Sequence, residues 1–500
     1  MQNSKLVKML KTFGSEELKE LEKFIESPYF SRDRDCLSLF KALKNHHPDF
    51  NSDEITNQSI FQKMYPGKKY DDAKSKSLLS TMNSELYKLC KGFLIQAELN
   101  EEKFQKDHLL LNQLRKRNLN KEFVKEYEKT SAQDDNSGGS LGFLNSFRLH
   151  SINGEYLQGR GDTKGQFESL LRCGENALAF GLVTAYRFIY IKETAKNAYD
   201  LSIGFNFIEN VLESLNSERI LDKMQAHNDV LYPYISANYM VYMMNKDPLN
   251  WEYYYKLKEI LENNIRKFGH SEKYMLYCSL ESYIVAKENL HYTQEYTREL
   301  FNLYNKTLQL GVYKSSPDAP LELDMYRNML LTAHDLKEFV WAEKFINDYS
   351  GELPAEQAQS MKDYSLALLY FTKGEFEKAM ERVMKIKYDY FLHKIDAKIL
   401  LFKIYYELNS FDQAFSIMDA AKHYLIKTKE LAGIFKIRNL NFLKYASELL
   451  KRKGSKKTKD IDFVLQSLKG EMTLESKGWL IKKMGQLASE SIQENHKLKC

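Results

Sequence analysis

The sequence predicts an all-α fold, with helical hairpins stacked into an α-α superhelix behind an N-terminal helical block. Three observations lead there. Proline is scarce, 8 in 500 residues, against an average usage of about 5%, and a chain that avoids this helix breaker can run in long helices. Apolar residues recur at helical spacing throughout, with no alternating run long enough for a sheet. Aromatics are abundant, 33 Tyr and 29 Phe, which suits stacked helices that need bulky contacts between layers.

Composition narrows the class further. Hydrophobic residues make up 43% of the chain and charged residues 28%, enough for a buried core and a solvated surface. The net charge of +5 is small for this length. It argues against a wholesale polyanion binder while admitting protein or nucleic-acid partners. Cys36, Cys90, Cys173, Cys278 and Cys500 form no CxxC pair, so no zinc knuckle or redox motif is visible. An odd, sparse set fits a reducing cytoplasm. The opening residues lack the apolar stretch of a signal peptide. The most apolar run, Ala177 to Ile191, is interrupted by Arg187 and is shorter than the roughly 20 residues of a membrane span. A cytoplasmic protein without a membrane span is therefore expected.

Along the chain, residues 1–100 read as an N-terminal helical domain. Leu6, Met9, Leu10 and Phe13 share one helical face. Ser15 is the expected cap of the next helix, with Glu16 and Glu17 near its positive end; Leu18, Leu21, Phe24 and Ile25 form its stripe, and Ser27-Pro28 ends it. A helix with Leu37, Phe40 and Leu43 precedes Pro48, and a long one carrying Leu78, Leu79, Met82, Leu86, Leu89, Phe93 and Leu94 follows the turn at Pro66-Gly67. Residues 101–318 form an irregular array of helical hairpins, punctuated by Asp134–Ser140, Gly159–Asp162, Asp247-Pro248 and Lys267–Gly269. Residues 426–500 supply capping helices, one with Phe463, Val464 and Leu468 and the last with Trp479, Leu480, Met484 and Leu487.

Between these lies a repeat, at 319–425. Phe339-Val340-Trp341-Ala342, Phe376-Glu377-Lys378-Ala379 and Phe411-Asp412-Gln413-Ala414 can be laid over one another, their alanines 37 and 35 residues apart. Nine residues before each alanine stand Ala333, Tyr370 and Tyr405; four after it stand Ile346, Val383 and Met418. The pattern resembles the tetratricopeptide repeat, whose period is about 34 residues. The resemblance implies that each alanine sits where two antiparallel helices cross, that each phenylalanine opens the second helix, and that Pro354 marks a break between units. It covers roughly a fifth of the chain. The small residue the family places on the first helix is Ala367 in one unit, but Leu330 and Phe402 stand there in the others. The chain as a whole also resembles bacterial helical proteins with a similar opening block, a likeness that implies no activity.

The resemblance also implies a concave groove lined by the first helix of each hairpin. Its register places Asp324, Arg327, Asn328, Leu331 and His334 inward from the first unit, Met361, Tyr364, Leu368 and Phe371 from the second, and Asp396, Ile399, Lys403 and Tyr406 from the third. Arg327, Asn328, His334, Tyr364, Phe371, Lys403 and Tyr406 are the expected contacts for an extended peptide or a partner helix. The full Lys/Asn set of carboxylate-clamp members is missing. Packing against neighbouring helices is the competing reading for the aromatics.

Several strings imitate catalytic motifs. Gly138-Gly139-Ser140-Leu141-Gly142 has the nucleophile-elbow spacing without the strand that motif needs. Gly154 to Gly159 has phosphate-loop spacing, but Arg160-Gly161 replaces the required Lys-Ser/Thr. His46-His47 is the only histidine pair, and adjacent helical residues point about 100° apart, which suits no common metal. No catalytic residue, metal or cofactor is expected. The run Lys451 to Lys459 gathers Lys451, Arg452, Lys453, Lys456, Lys457 and Lys459. A solvated loop is the default reading, and phosphate contacts the sharper one. The expected function is thus a non-catalytic protein–protein scaffold, with a nucleic-acid-associated regulator as the alternative.

Overall fold

The computed structural model describes residues 4–31, 35–50, 55–134, 139–199, 204, 206–290, 293–387, 391–428, 433–455, 460–471 and 473–497. Among them every regular element is helical. Two compact units form, Met1–Gln133 with Arg148–Ser169, and Asp134–Phe147 with Leu170–Cys500.

The first unit holds α1 (Lys5–Leu10), α2 (Ser15–Glu26), α3 (Pro28–Ser31), α4 (Cys36–Lys44), α5 (Asn57–Met64), α6 (Asp72–Glu101), α7 (Lys103–Lys116) and α8 (Asn120–Asp134). Helices α1, α2, α4 and α5 pack on α6 around Leu6, Leu10, Leu21, Phe40, Leu43, Leu79 and Leu86, the apolar stripes read from sequence. One cap differs from expectation. Gly14, not Ser15, is the N-cap of α2, and its backbone N–H donates to Glu17 Oε2 at 2.6 Å. The reach of a glutamate back across three residues selects the position, so Ser15 enters the helix as its first residue. Parts of α9 (Ser140–Gly159) and α10 (Thr163–Tyr199) complete this unit, with Phe123 stacked on Tyr156 at 4.1 Å.

The second unit contains the remainder of α9 and α10, then α11 (Phe207–Ser214), α12 (Ser217–Ala226), α13 (Tyr232–Lys246), α14 (Glu252–Asn264), α15 (His270–Leu290), α16 (Gln294–Leu310), α17 (Leu323–Asp335) and α18 (Phe339–Tyr349). After a short 3-10 turn at Ser350–Glu352 follow α19 (Ala355–Lys373), α20 (Phe376–Val383), α21 (Phe391–Glu407), α22 (Phe411–Lys427), α23 (Gly433–Ser455), α24 (Ile461–Gly470) and α25 (Lys477–Lys497). From α13 to α22 each odd-numbered helix packs on its successor, and each pair touches the next. Connections of two or three residues join α17 to α18, α19 to α20 and α21 to α22, short enough that each pair folds as a hairpin.

Three of the hairpin turns share one backbone geometry. Lys337, Gly374 and Asn409 occupy the same position in successive units, and all three adopt the left-handed conformation, at φ 60°, 84° and 57°. One residue later, the N–H groups of Glu338, Glu375 and Ser410 donate to the carbonyls of Ala333, Tyr370 and Tyr405 at 2.9, 2.8 and 2.9 Å. This six-residue closure satisfies carbonyls that the ending helix leaves open. Phe339, Phe376 and Phe411 then begin the second helices, and Ala342, Ala379 and Ala414 are fully buried. Only glycine takes the left-handed conformation without a Cβ penalty. Lys337→Gly is therefore expected to raise stability by about 1 kcal/mol, measured by urea unfolding; a destabilised variant would contradict this account of the turn.

The core changes inside one helix. Ala397, Leu400, Leu401 and Ile404 of α21 join a large core that extends back to Phe143. Ile395, Ile399, Phe402 and Tyr406, on its other side, join a C-terminal core with Phe442, Leu480 and Met484. The two cores thus meet within α21.

Candidate functional site: a charged centre on the first helices of the hairpins

Helical spacing puts Arg327 two turns before His334 and Asp335 on α17, Tyr364 on α19, and Asp396 and Lys403 two turns apart on α21. These helices bring the side chains to one another. Arg327 and Asp396 form a two-pronged ion pair between α17 and α21: Nη2 donates to Oδ1 at 2.8 Å, and Nε donates to Oδ2. The side chains are only 14% and 6% exposed. The Arg327 Nη1 group also donates to Asn328 Oδ1 at 3.3 Å. Tyr364, from the helix between, is buried, and burial pushes its phenol well above the ordinary range, with the Asp396 carboxylate adding to the shift.

Lys403 is half-buried. Its ammonium donates to Ser476 Oγ at 2.8 Å and lies 5.7 Å from the Trp479 ring and 5.9 Å from that of Phe442. Burial lowers its pKa, while Glu475, Asp335 and Asp396 act in the opposite sense. Asp335 keeps contact with solvent although protein surrounds it. That crowding pushes its pKa up to about 6; Lys403 pulls against the shift, and Glu288 and Glu475 add to it. Arg438 of α23 reaches Glu475 at 3.4 Å. Charges from α15, α17, α21, α23 and the turn before α25 thus converge on one region.

Of the residues expected to face a partner, Tyr364, His334 and Tyr406 are buried, and Arg327, Asn328 and Lys403 are engaged within the chain. His334 Nδ1 meets Thr372 Oγ1 at 3.1 Å, whereas its Nε2 has no hydrogen-bond partner; burial pulls its pKa down to about 4, leaving the ring neutral near pH 7. The half-buried Phe371 ring lies 5.6 Å from Phe376. Tyr406 meets Trp479 edge-on at 5.3 Å. Asp396 was legible as an inward position. Glu288, Glu475 and Ser476 carried no local signal, because their relevance arises only where distant helices meet.

The basic run is divided. The Lys453 ammonium lies 4.0 Å over the Tyr406 ring and donates to the Tyr406 carbonyl at 2.9 Å. Arg452 and Lys451 reach Glu448 at 3.4 and 3.8 Å, and among the described residues of the run only Lys451 is well exposed, at 62%. Lys456, Lys457 and Lys459 lie outside the described residues.

The imitative motifs also find their places. Ser140 starts α9, and its Oγ accepts from Arg187 Nη1 at 3.2 Å, a partner that cannot take its proton. Arg187 in turn donates to Asn238 Oδ1 and to the buried Glu272, both at 2.9 Å. Gly139, at φ 102°, packs so closely on Glu272 that a Cβ there would lie 2.4 Å from the carboxyl carbon. Gly154–Gly159 lies within α9, and Asp162 caps α10 through Gly165 N at 2.9 Å. His47 Nε2 meets the Phe13 carbonyl at 3.0 Å, and His46 Nε2 meets Lys63 at 3.3 Å, so the pair serves two separate contacts. Among the described residues no cluster of His, Cys, Asp or Glu could hold a metal ion. Among them, too, no helix is long and apolar enough to cross a membrane.

No protein-family model matches this chain, and no curated protein or solved structure shows significant similarity to it.

Proposed function

We propose that this chain is a non-catalytic protein-binding scaffold, a tetratricopeptide-repeat-like solenoid that holds an extended peptide or partner helix along the first helices of its hairpins. The carrying observation is the convergence of Asp335, Lys403, Glu288 and Glu475 on that side, with Asp335 still reaching solvent. A charged strip on a rigid array selects partners by complementarity and fixes their register. The internal Arg327–Asp396 pair holds the strip's shape, so recognition falls to the residues around it. Sparse cysteines, free among the described residues, support a cytoplasmic location on this reading.

The test is affinity purification of the tagged full chain, with and without nuclease, beside an Asp335→Arg variant. Partners that survive nuclease and fall about tenfold in the variant support the scaffold; reversing one interfacial charge commonly costs that much. Bound material lost on nuclease treatment alone would replace this reading with a nucleic-acid regulator. That alternative draws on Lys451 and the rest of the basic run.

A further inference from the structure

Glu281 sits in the middle of α15, only 4% exposed, with its Oε1 lacking any hydrogen-bond partner. Among the described residues no cation pairs with it. The titratable groups that act electrostatically with it are Tyr254 on α14, Tyr277 and Cys278 on α15, and Tyr304 on α16. All four are neutral acids near pH 7, and burial pushes each of them further up. From α13, which also packs on α15, no charged group acts on it. Lys258 and Lys306 line a recess of about 180 Å³ bordered by α14, α15 and α16, yet Lys258 pairs with Glu299 at 2.6 Å. The carboxyl therefore has no paired cation, and its Oε1 has no compensating donor.

In such a place the ionised carboxylate loses far more hydration energy than the neutral acid does. We propose that Glu281 makes the packing of α15 against α14 and α16 pH-dependent, firm at low pH and loosened as pH rises, because opening these helices lets its side chain ionise. Burial places its pKa at about 8 in the folded protein, against about 4.3 in an unfolded chain. A group raised on folding contributes stability that is fully present below the unfolded value and lost as pH rises through the folded one. The loosening therefore develops between about pH 4.5 and 8 and then levels off. A protein meeting a pH change in that window would carry the change into the middle of its hairpin array. This inference does not depend on what the array binds.

Hydrogen exchange of the full chain, followed on peptides from α14, α15 and α16 and corrected for intrinsic rates, tests it. Between pH 5.5 and 9 their opening is expected to grow on the order of a hundredfold, and Glu281→Gln should flatten that dependence. An equal pH dependence in the variant would overturn the proposal. If the variant does not fold, the carboxyl of wild-type Glu281 can be titrated by isotope-edited infrared spectroscopy. Ionisation there in the ordinary glutamate range would equally overturn it.

Discussion

Arg327→Met is expected to lower the stability of the hairpin array by about 3–5 kcal/mol. The guanidinium's partner, Asp396, has a side chain only 6% exposed and would be left as a buried, unpaired carboxylate. Among its remaining neighbours the Lys403 ammonium favours the charge but forms no ion pair with it, Tyr364 is itself raised by the negative charge, and Glu475 is a like charge close by. Nearly all of the loss is this stranded charge, not the net worth of the ion pair. The double variant Arg327→Met with Asp396→Leu should accordingly recover most of the stability, because two apolar side chains of similar bulk ask nothing of the interior. Urea unfolding followed by circular dichroism separates the outcomes. A single variant that costs under about 1 kcal/mol would mean that water reaches the pair and that α17 and α21 are not held together there.

Phe402→Ala should cost a similar amount, about 3–5 kcal/mol. The ring is 1% exposed, edge-on to Phe442 at 5.8 Å and to Trp479 at 6.2 Å. Truncation leaves a cavity bounded by three separate helices, α21, α23 and α25, none of which can collapse into it without moving the others. The same position in the preceding unit holds Ala367, fully buried in the larger core. A phenylalanine at 367 should itself destabilise the fold, by overpacking. Unfolding midpoints of both variants check the pair, and a tolerant response at either site would show that α21 is not clamped between two cores.

This contrast gives a physical reason why the hairpins differ at this position. Leu330, Ala367 and Phe402 hold equivalent places, but the neighbours that α21 meets differ from those of α17 and α19. Where α19 packs among further hairpins, α21 faces the closing helices α23 and α25, and a larger ring fills the space. Close approach governs Ala342, Ala379 and Ala414 in every unit, so those residues stay small.

How the inner residues are used shows the same division. Their spacing identified Arg327, Tyr364, Asp396, Lys403 and Tyr406 as sharing one side of the hairpins, and an outside partner was the expectation for most of them. In the folded chain Arg327 finds Asp396 from 69 residues away, Lys403 finds Ser476 from 73, and Tyr406 is covered by Trp479 and Lys453.

What the sequence by itself determined is local. Helical periodicity, the near absence of proline, the Phe-x-x-Ala pattern and the turn before it need only contacts within a hairpin, and each is written into about 35 consecutive residues. The tertiary structure alone decided which charges are spent on one another, where one core ends and the next begins, and which carboxylates, Glu281 and Asp335, remain without a full set of partners. Those outcomes depend on how closely helices far apart in the chain approach. A side chain's type carries no record of that distance.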